Sequence, residues 1–237
     1  MIGPEGPEGR QLPPVLVSAA TAQTGKVVKD ESKTITDGRR QRGEQSRQRI
    51  LSEALRLFSR HGYAGTSLSA IRDATGLPVS SLHHHFGSKA GICLAAIDAL
   101  GETLSGSGLQ QRLQSVTGAE ARAHLLVQGI LRHNEQEYPT LLLIIRLAMD
   151  GDDIDPAIRP AVQAIRKKAV DGLAANLRLV FAERSPPLPR PRCEVMARRL
   201  LAIMDGWLVS QLTDYPDALP AWSARDLEHL VLALAED

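Results

Sequence analysis

Between Glu44 and Lys89 apolar residues recur at helical spacing, and two glycines cut them into unequal lengths. Ile50, Ala54, Leu57 and Phe58, with Leu51 and Leu55 beside them, return every three or four residues until Gly62 ends the run. Leu68, Ile71 and Ala74 form a much shorter run that follows the capping pair Thr66-Ser67 and stops at Gly76. A third run begins at once, with Leu82 and Phe86 four positions apart facing inward. Helices of about two turns are unstable alone in water. The two short ones must therefore be held against the longer one, and the chain is confined to a small, tightly turned three-helix unit.

The remainder reads as helix too. Ser88 caps a helix through Ile92, Ala96 and Leu100 that weakens at Gly106 and Gly108. Further helices are predicted near 119–137, 139–149, 156–184, 192–214 and 222–235. Pro139 opens one of them, Asp155-Pro156 supplies an N-cap followed by Pro at N1, and the PPLPRP run at 186–191 is a loop. Tyr215-Pro216 and Leu219-Pro220 bracket another loop. No segment alternates as a strand does. Hydrophobic residues make up 43% but aromatics only 3%, so the core must be mostly Leu, Ala, Ile and Val, a mixture that favours helices. The expected fold is all-α with about nine helices. Residues 1–43, rich in Pro, Gly and Thr, read as a disordered extension with a basic end at Gly38–Gly43.

Two cysteines a hundred positions apart, Cys93 and Cys193, make neither a disulfide framework nor a zinc motif. Acidic Glu5 and Glu8 stand where a signal peptide would be basic. No stretch approaches the roughly 20 apolar residues that span a bilayer. A soluble cytoplasmic protein without membrane contact or cofactor is expected. The net charge of +1 hides an asymmetry: nine Lys/Arg face three acids from Arg39 to Lys89, whereas acids outnumber bases nineteen to fifteen beyond it. A basic segment of this kind suits a polyanion partner.

Two short helices around a tight turn, braced by a longer one, are the sequence form of a helix-turn-helix DNA reader, here over residues 44–90. The first short helix can hold a phosphate at its N-terminus through free N–H groups and the Thr66-Ser67 cap. The second buries Leu82 and Phe86 and turns Pro78, Val79, Ser80 and Ser81 toward base edges. Serine hydroxyls suit several bases, and a valine suits a thymine methyl.

The run RQRILSEALRLFSRHGYAGTSLSAIRDATGLPVSSLHHHFGSKAGI resembles the N-terminal domain of the TetR (tetracycline-repressor-like) family of bacterial transcription regulators. It covers about 47 residues, a fifth of the chain. The resemblance implies a ligand-responsive repressor that binds a palindromic double-stranded operator as a homodimer. It gives Thr66 and Ser67 the phosphate-binding cap and Pro78 to Ser81 the base-reading tip. His83 falls where a DNA-touching tyrosine is usual, and His84 and Lys89 fall at phosphate-contact positions. Pro78 stands where a capping Ser is common. The resemblance also implies that residues 91–237 dimerise and enclose a pocket for an unknown small-molecule effector.

Leu200, Ile203 and Trp207 on one helix, with Trp222, Leu227 and Leu230 on the next, are the candidate dimer residues. His124, Gln128 and His133, with Arg146 in LLLIIRLAM, are polar interruptions of apolar helix and the candidate effector contacts. Arg146 and Asp150, four apart, fit a surface pair equally well.

A rival reading is a metal-dependent helical enzyme using His83, His84 and His85. Adjacent helical residues point about 100° apart, so the three cannot ligate one ion. No metal site and no catalytic residue is expected. Asp150, Asp152, Asp153 and Asp155 read as a solvated turn and N-cap rather than a cation loop.

Overall fold

The structure, a computed structural model, describes residues 31–106, 108–150, 154–210 and 223–236. It is all-helical over these residues. In chain order the helices are α1 (Glu31–His61), α2 (Leu68–Thr75), α3 (Val79–Phe86), α4 (Lys89–Gly106), α5 (Leu109–Gln114), α6 (Ala119–Met149), α7 (Ile158–Val180), α8 (Arg190–Ser210) and α9 (Ala224–Ala233).

The local signals predicted for the first ninety residues all operate. Gly62 ends the packed part of α1 at φ 75°, its N–H on the Phe58 carbonyl. The Ser67 hydroxyl accepts the Ala70 N–H and starts α2. Gly76, at φ 65°, takes the left-handed conformation that lets α3 follow within two residues. The Ser88 hydroxyl accepts the Gly91 N–H at the start of α4.

Two apolar clusters hold the helices together. One joins Ile50, Phe58, Ile71 and Leu82 to Ile92, Ile97 and Leu100 of α4, to Leu143–Leu147 of α6 and to Ile158–Ile165 of α7. It crosses residue 90 without a break, so the three-helix head and the following helices share one core. The other joins α5, the first third of α6, the second half of α7, α8 and α9. Helix α6 runs from one cluster to the other and contributes to both.

Three sequence expectations change. The stretch expected to lack structure up to residue 43 is helical from Glu31. Once the packed half of α1 has nucleated, each preceding residue adds a hydrogen bond for little entropy. Local ties reinforce it: Arg42 Nε donates to the Gly38 carbonyl and Ser46 Oγ to the Arg42 carbonyl. The rest of that extension, residues 1–30, lies outside the described residues, as do Asp152, Asp153 and the 215–220 loop.

Pro139 does not open a helix but lies within α6. Proline removes one N–H bond and crowds the carbonyl four residues back. Here Leu126, Val127, Leu143 and Leu147, buried on both sides of it, keep the helix continuous.

The stretch Lys89–Gln114 is long and apolar enough to cross a bilayer, contrary to expectation. Its apolar side chains lie in the two cores instead, and Gly108 breaks it between α4 and α5.

The Asp155-Pro156 signal also acts close to its predicted place. Asp155 accepts the Ala157 N–H with its carboxylate and the Ile158 N–H with its carbonyl, and α7 begins at Ile158.

Leu82 is the one fully buried residue of α3 and is 1% exposed. Leu82→Ala should lower unfolding free energy by about 3 kcal/mol, the usual cost of emptying a leucine-sized site in a packed core. Urea melts of the two proteins followed by helical ellipticity check this.

Candidate nucleic-acid interface

Of the residues predicted to touch DNA, Ser67, Pro78, Ser80, His83 and His84 are exposed on the three-helix head. Ser67 is exposed at the start of α2, where the first N–H groups of the helix have no intrahelical acceptor. Across the Gly76 turn, α3 begins at Val79 with Pro78 as its N-cap and no side-chain cap. Pro78 and Ser80 are exposed, while Val79 and Ser81 are half-buried. Leu82 points into the core directly behind them. Phe86 is half-buried against the same core, with the Arg47 guanidinium 5.3 Å above its ring. A helix so clamped on one edge presents small hydroxyl-bearing residues outward, which is the shape a major groove admits.

Thr66 and Lys89 are placed differently from Ser67. Thr66 is 2% exposed, and its hydroxyl donates to the Gly62 carbonyl at 2.9 Å. The Lys89 ammonium donates to the carbonyls of Tyr63 at 2.9 Å and Thr66 at 3.0 Å, and lies 4.2 Å from the centre of the Tyr63 ring. Both side chains close the loop between α1 and α2, while Ser67 beside them stays exposed. The same packing raises the Tyr63 hydroxyl to about 12, through burial first and then nearby Asp155 and Cys93. Burial likewise holds the Cys93 thiol protonated, near 12.

The three histidines have three different surroundings. His83 and His84 are exposed and His85 half-buried. His83 Nδ1 lies 2.6 Å from the Gly87 carbonyl. A carbonyl only accepts, so Nδ1 carries the hydrogen and Nε2 faces outward. His84 meets His85 edge-on at 5.2 Å, and His85 leans toward Phe86 at 6.2 Å. Among the described residues no group of three or more His, Cys, Asp or Glu side chains converges on a common point.

The sequence reading marked Gly38–Gly43 as a basic end but expected it to be unstructured, so its helical state escaped. Residues 31–45 extend α1 by about 22 Å beyond the head at 1.5 Å per residue. Ile50 is the first fully buried residue among those described. Arg47 at Phe86, and Arg49 Nη2 3.9 Å from where a Gly76 side chain would stand, show that the extension leaves the head beside α3. Arg40 and Arg42 are exposed along it. Only the helical state of this segment puts those charges there, and the run Gly38–Gly43 gave little local sign of it.

The other predicted sites separate. His124 is 56% exposed, its Nδ1 2.8 Å from Glu228 of α9. Arg146, half-buried, donates to the Arg60 carbonyl at 3.3 Å and ties α6 to α1. Those two lie about 33 Å apart along one helix, so a single small molecule cannot reach both. Gln128 and His133 are half-buried between them. Leu200 and Leu227 lie in the chain's own core at 2% and 4% exposure. Ile203, Trp207 and Leu230 are half-buried, and Trp222 lies outside the described residues.

Comparison with known proteins bears on this head and on the fold. Residues 50–96 match the family described as bacterial regulatory proteins, tetR family. The HTH-type transcriptional repressor AcnR of Corynebacterium efficiens is 39% identical over 75 residues, which cover 30% of this chain and 40% of that protein. The likeness to that repressor thus spans less than half of its length. Among solved structures, the TetR family transcriptional regulator PfmR of Thermus thermophilus superposes with a TM-score of 0.57 at 23% identity, over 79% of this chain and 97% of the other. AibR, solved with isovaleryl coenzyme A and operator DNA, gives 0.56 at 20% identity, over 81% and 97%. At these identities the two structures speak for the fold alone.

Two expectations follow from the geometry. With Nδ1–H held by Gly87, a neutral His83 has no hydrogen to offer a phosphate, whereas the protonated ring offers Nε2–H. His83→Ala should weaken DNA binding several-fold, and His83→Lys, whose ammonium always offers a hydrogen, should retain most of it in fluorescence-anisotropy titrations. Replacing Arg40 and Arg42 together by alanine should reduce the slope of log affinity against log salt by about 2, with sequence preference unchanged; titrations across a salt series measure it.

Proposed function

We infer that this chain, whose residues 50–96 belong to the TetR family of bacterial regulatory proteins, is a sequence-specific DNA-binding transcription regulator. The observation that carries the reading is the pairing of a buried Leu82 with an exposed Ser80 on an eight-residue helix, set across a left-handed glycine from a Ser67-capped helix start. The roles divide accordingly. Ser67 and the first N–H groups of α2 hold a phosphate, and Pro78, Val79, Ser80 and Ser81 read base edges. His83, His84 and the arginines of α1 hold the flanking backbone.

The regulator acts as a homodimer and, in this reading, as a repressor working in the cytoplasm. Half-sites one helical turn apart demand a two-fold protein. The sequence reading put that interface at Leu200, Ile203, Trp207, Trp222, Leu227 and Leu230. With Leu200 and Leu227 turned into the core, the contact passes to the outward face of α8. There Val195 is 40% exposed, Ala202 and Gly206 are exposed, and Ile203 and Trp207 flank them. Small residues let two such helices approach closely.

A small-molecule effector releases the DNA. Helix α4 starts at Lys89, which is anchored to the carbonyls of Tyr63 and Thr66, and α6 holds α1 through Arg146. A ligand that shifts α4 against α6 therefore tilts the head, and a change in half-site spacing weakens binding by the coupling free energy between the two sites.

Purified protein offered random duplex DNA should enrich an inverted repeat whose half-site centres lie about 10 bp apart. Enrichment of no sequence would remove the reading. Gly206→Arg, at a position with nothing within 4 Å of an added side chain, should give a folded monomer in sedimentation velocity with at least ~100-fold weaker operator binding.

A further inference from the structure

Helix α6 turns one stripe inward along its whole length. Ala123, Leu126 and Val127 lie in one apolar cluster, and Leu143, Ile144 and Leu147 in the other. Between the clusters the stripe becomes polar: His133, Asn134, Glu137 and Thr140 follow at close helical spacing, which keeps them on one face. Asn134 is only 6% exposed, and its Nδ2 has no hydrogen-bond partner; the buried Nε2 of His133 has none either. Burial favours the neutral form of the His133 ring, whose Nδ1–H tautomer leaves Nε2 able to accept.

Glu137 is half-buried, and loss of water pushes its carboxyl above the usual range, offset by the nearby hydroxyls of Thr103 and Thr140; Thr140 donates to Oε2 at 3.5 Å, while Thr103 donates to the Leu100 carbonyl. No Lys or Arg pairs with it among the described residues. Thr103 is exposed, so the polar belt leads inward from the surface through Glu137 to Asn134. A half-buried carboxylate without a cationic partner, beside an unpartnered ring nitrogen and an unpartnered amide donor, is destabilising until a ligand supplies the missing groups. One ligand chemistry satisfies all three.

We propose that the belt formed by Thr103, His133, Asn134, Glu137 and Thr140 binds a small monocationic amine that carries an oxygen acceptor close to its nitrogen. The ammonium donates to the Glu137 carboxylate and to His133 Nε2, and the ligand oxygen accepts from Asn134 Nδ2. Carboxylates and acyl phosphates are repelled by Glu137, and a diol leaves the charge unpaired. Identifying this amine as the effector rests on the regulator reading above; the binding site itself does not.

The test uses full-length protein, thermal melts and calorimetric titration with 2-aminoethanol, 3-amino-1-propanol and glycinamide, against ethylene glycol and butyrate as neutral and anionic controls. At about 100 times its Kd an amine should raise the melting temperature by roughly 3 °C or more. Glu137→Gln should abolish the shift while itself melting higher than the parent, because a buried unpaired charge is gone. Asn134→Leu should weaken amine binding at least about ten-fold. Helical ellipticity and operator binding report that both variants are folded. Absence of any shift with the amines, an equal shift in Glu137→Gln, or a larger shift with butyrate overturns the proposal. If amines bind as stated yet leave operator affinity unchanged, the site stands and the effector role falls.

Discussion

The surface proposed to face DNA depends on one buried leucine. Helix α3 has eight residues, a proline N-cap that contributes no side-chain bond, and polar residues over most of its circumference. Such a segment has no helical stability of its own. Leu82, seated among Ile50, Phe58 and Ile71, supplies what local structure does not, and Arg47 over Phe86 fixes the other end. The exposed hydroxyls therefore keep a defined direction because the opposite edge is immobilised. Small outward residues and a strongly held inward edge are two halves of one requirement.

The same core carries the connection to the rest of the molecule. Lys89 places an ammonium on two carbonyls and an aromatic face of the α1–α2 loop, and it is the first residue of α4. Hydrogen bonds from a charged donor are about twice as strong as neutral ones. Rotation of α4 is thus transmitted to the head instead of being absorbed in a hinge. Arg146 makes a second, longer tie from α6 to α1. The belt of polar groups on α6 lies between these ties and the second apolar cluster, at the level where Thr103 of α4 stands near Glu137. In the proposed regulator an occupant there bears on the helices that position the head.

Much of this was legible in sequence. Gly62, Gly76, Ser67 and Ser88 act through their own backbone and the next three residues, and each did locally what its chemistry demands. The head could be read residue by residue for that reason. The failures share the opposite character. Pro139 reads as a start because proline is common there, but burial on both sides overrode the local cost. The run before Glu44 looked unstructured because its helix depends on a nucleus formed further along. Thr66 and Lys89 match a contact position by register, yet their polar atoms meet backbone carbonyls.

In the second half, composition marked His124, Gln128, His133 and Arg146 as unusual but could not say that they lie along some 33 Å of a single helix. Nor could it separate Leu200 and Leu227, which face inward, from Val195, Ala202 and Gly206, which do not. Glu137, an ordinary acid in sequence, becomes unusual because burial strips water from its carboxyl and no Lys or Arg among the described residues pairs with it. The all-helical class, the glycine turns and the serine caps were determined by the sequence alone, since caps, turns and spacing act within a few residues. Which polar groups are buried without a partner was decided by tertiary structure, because it depends on which helix faces meet.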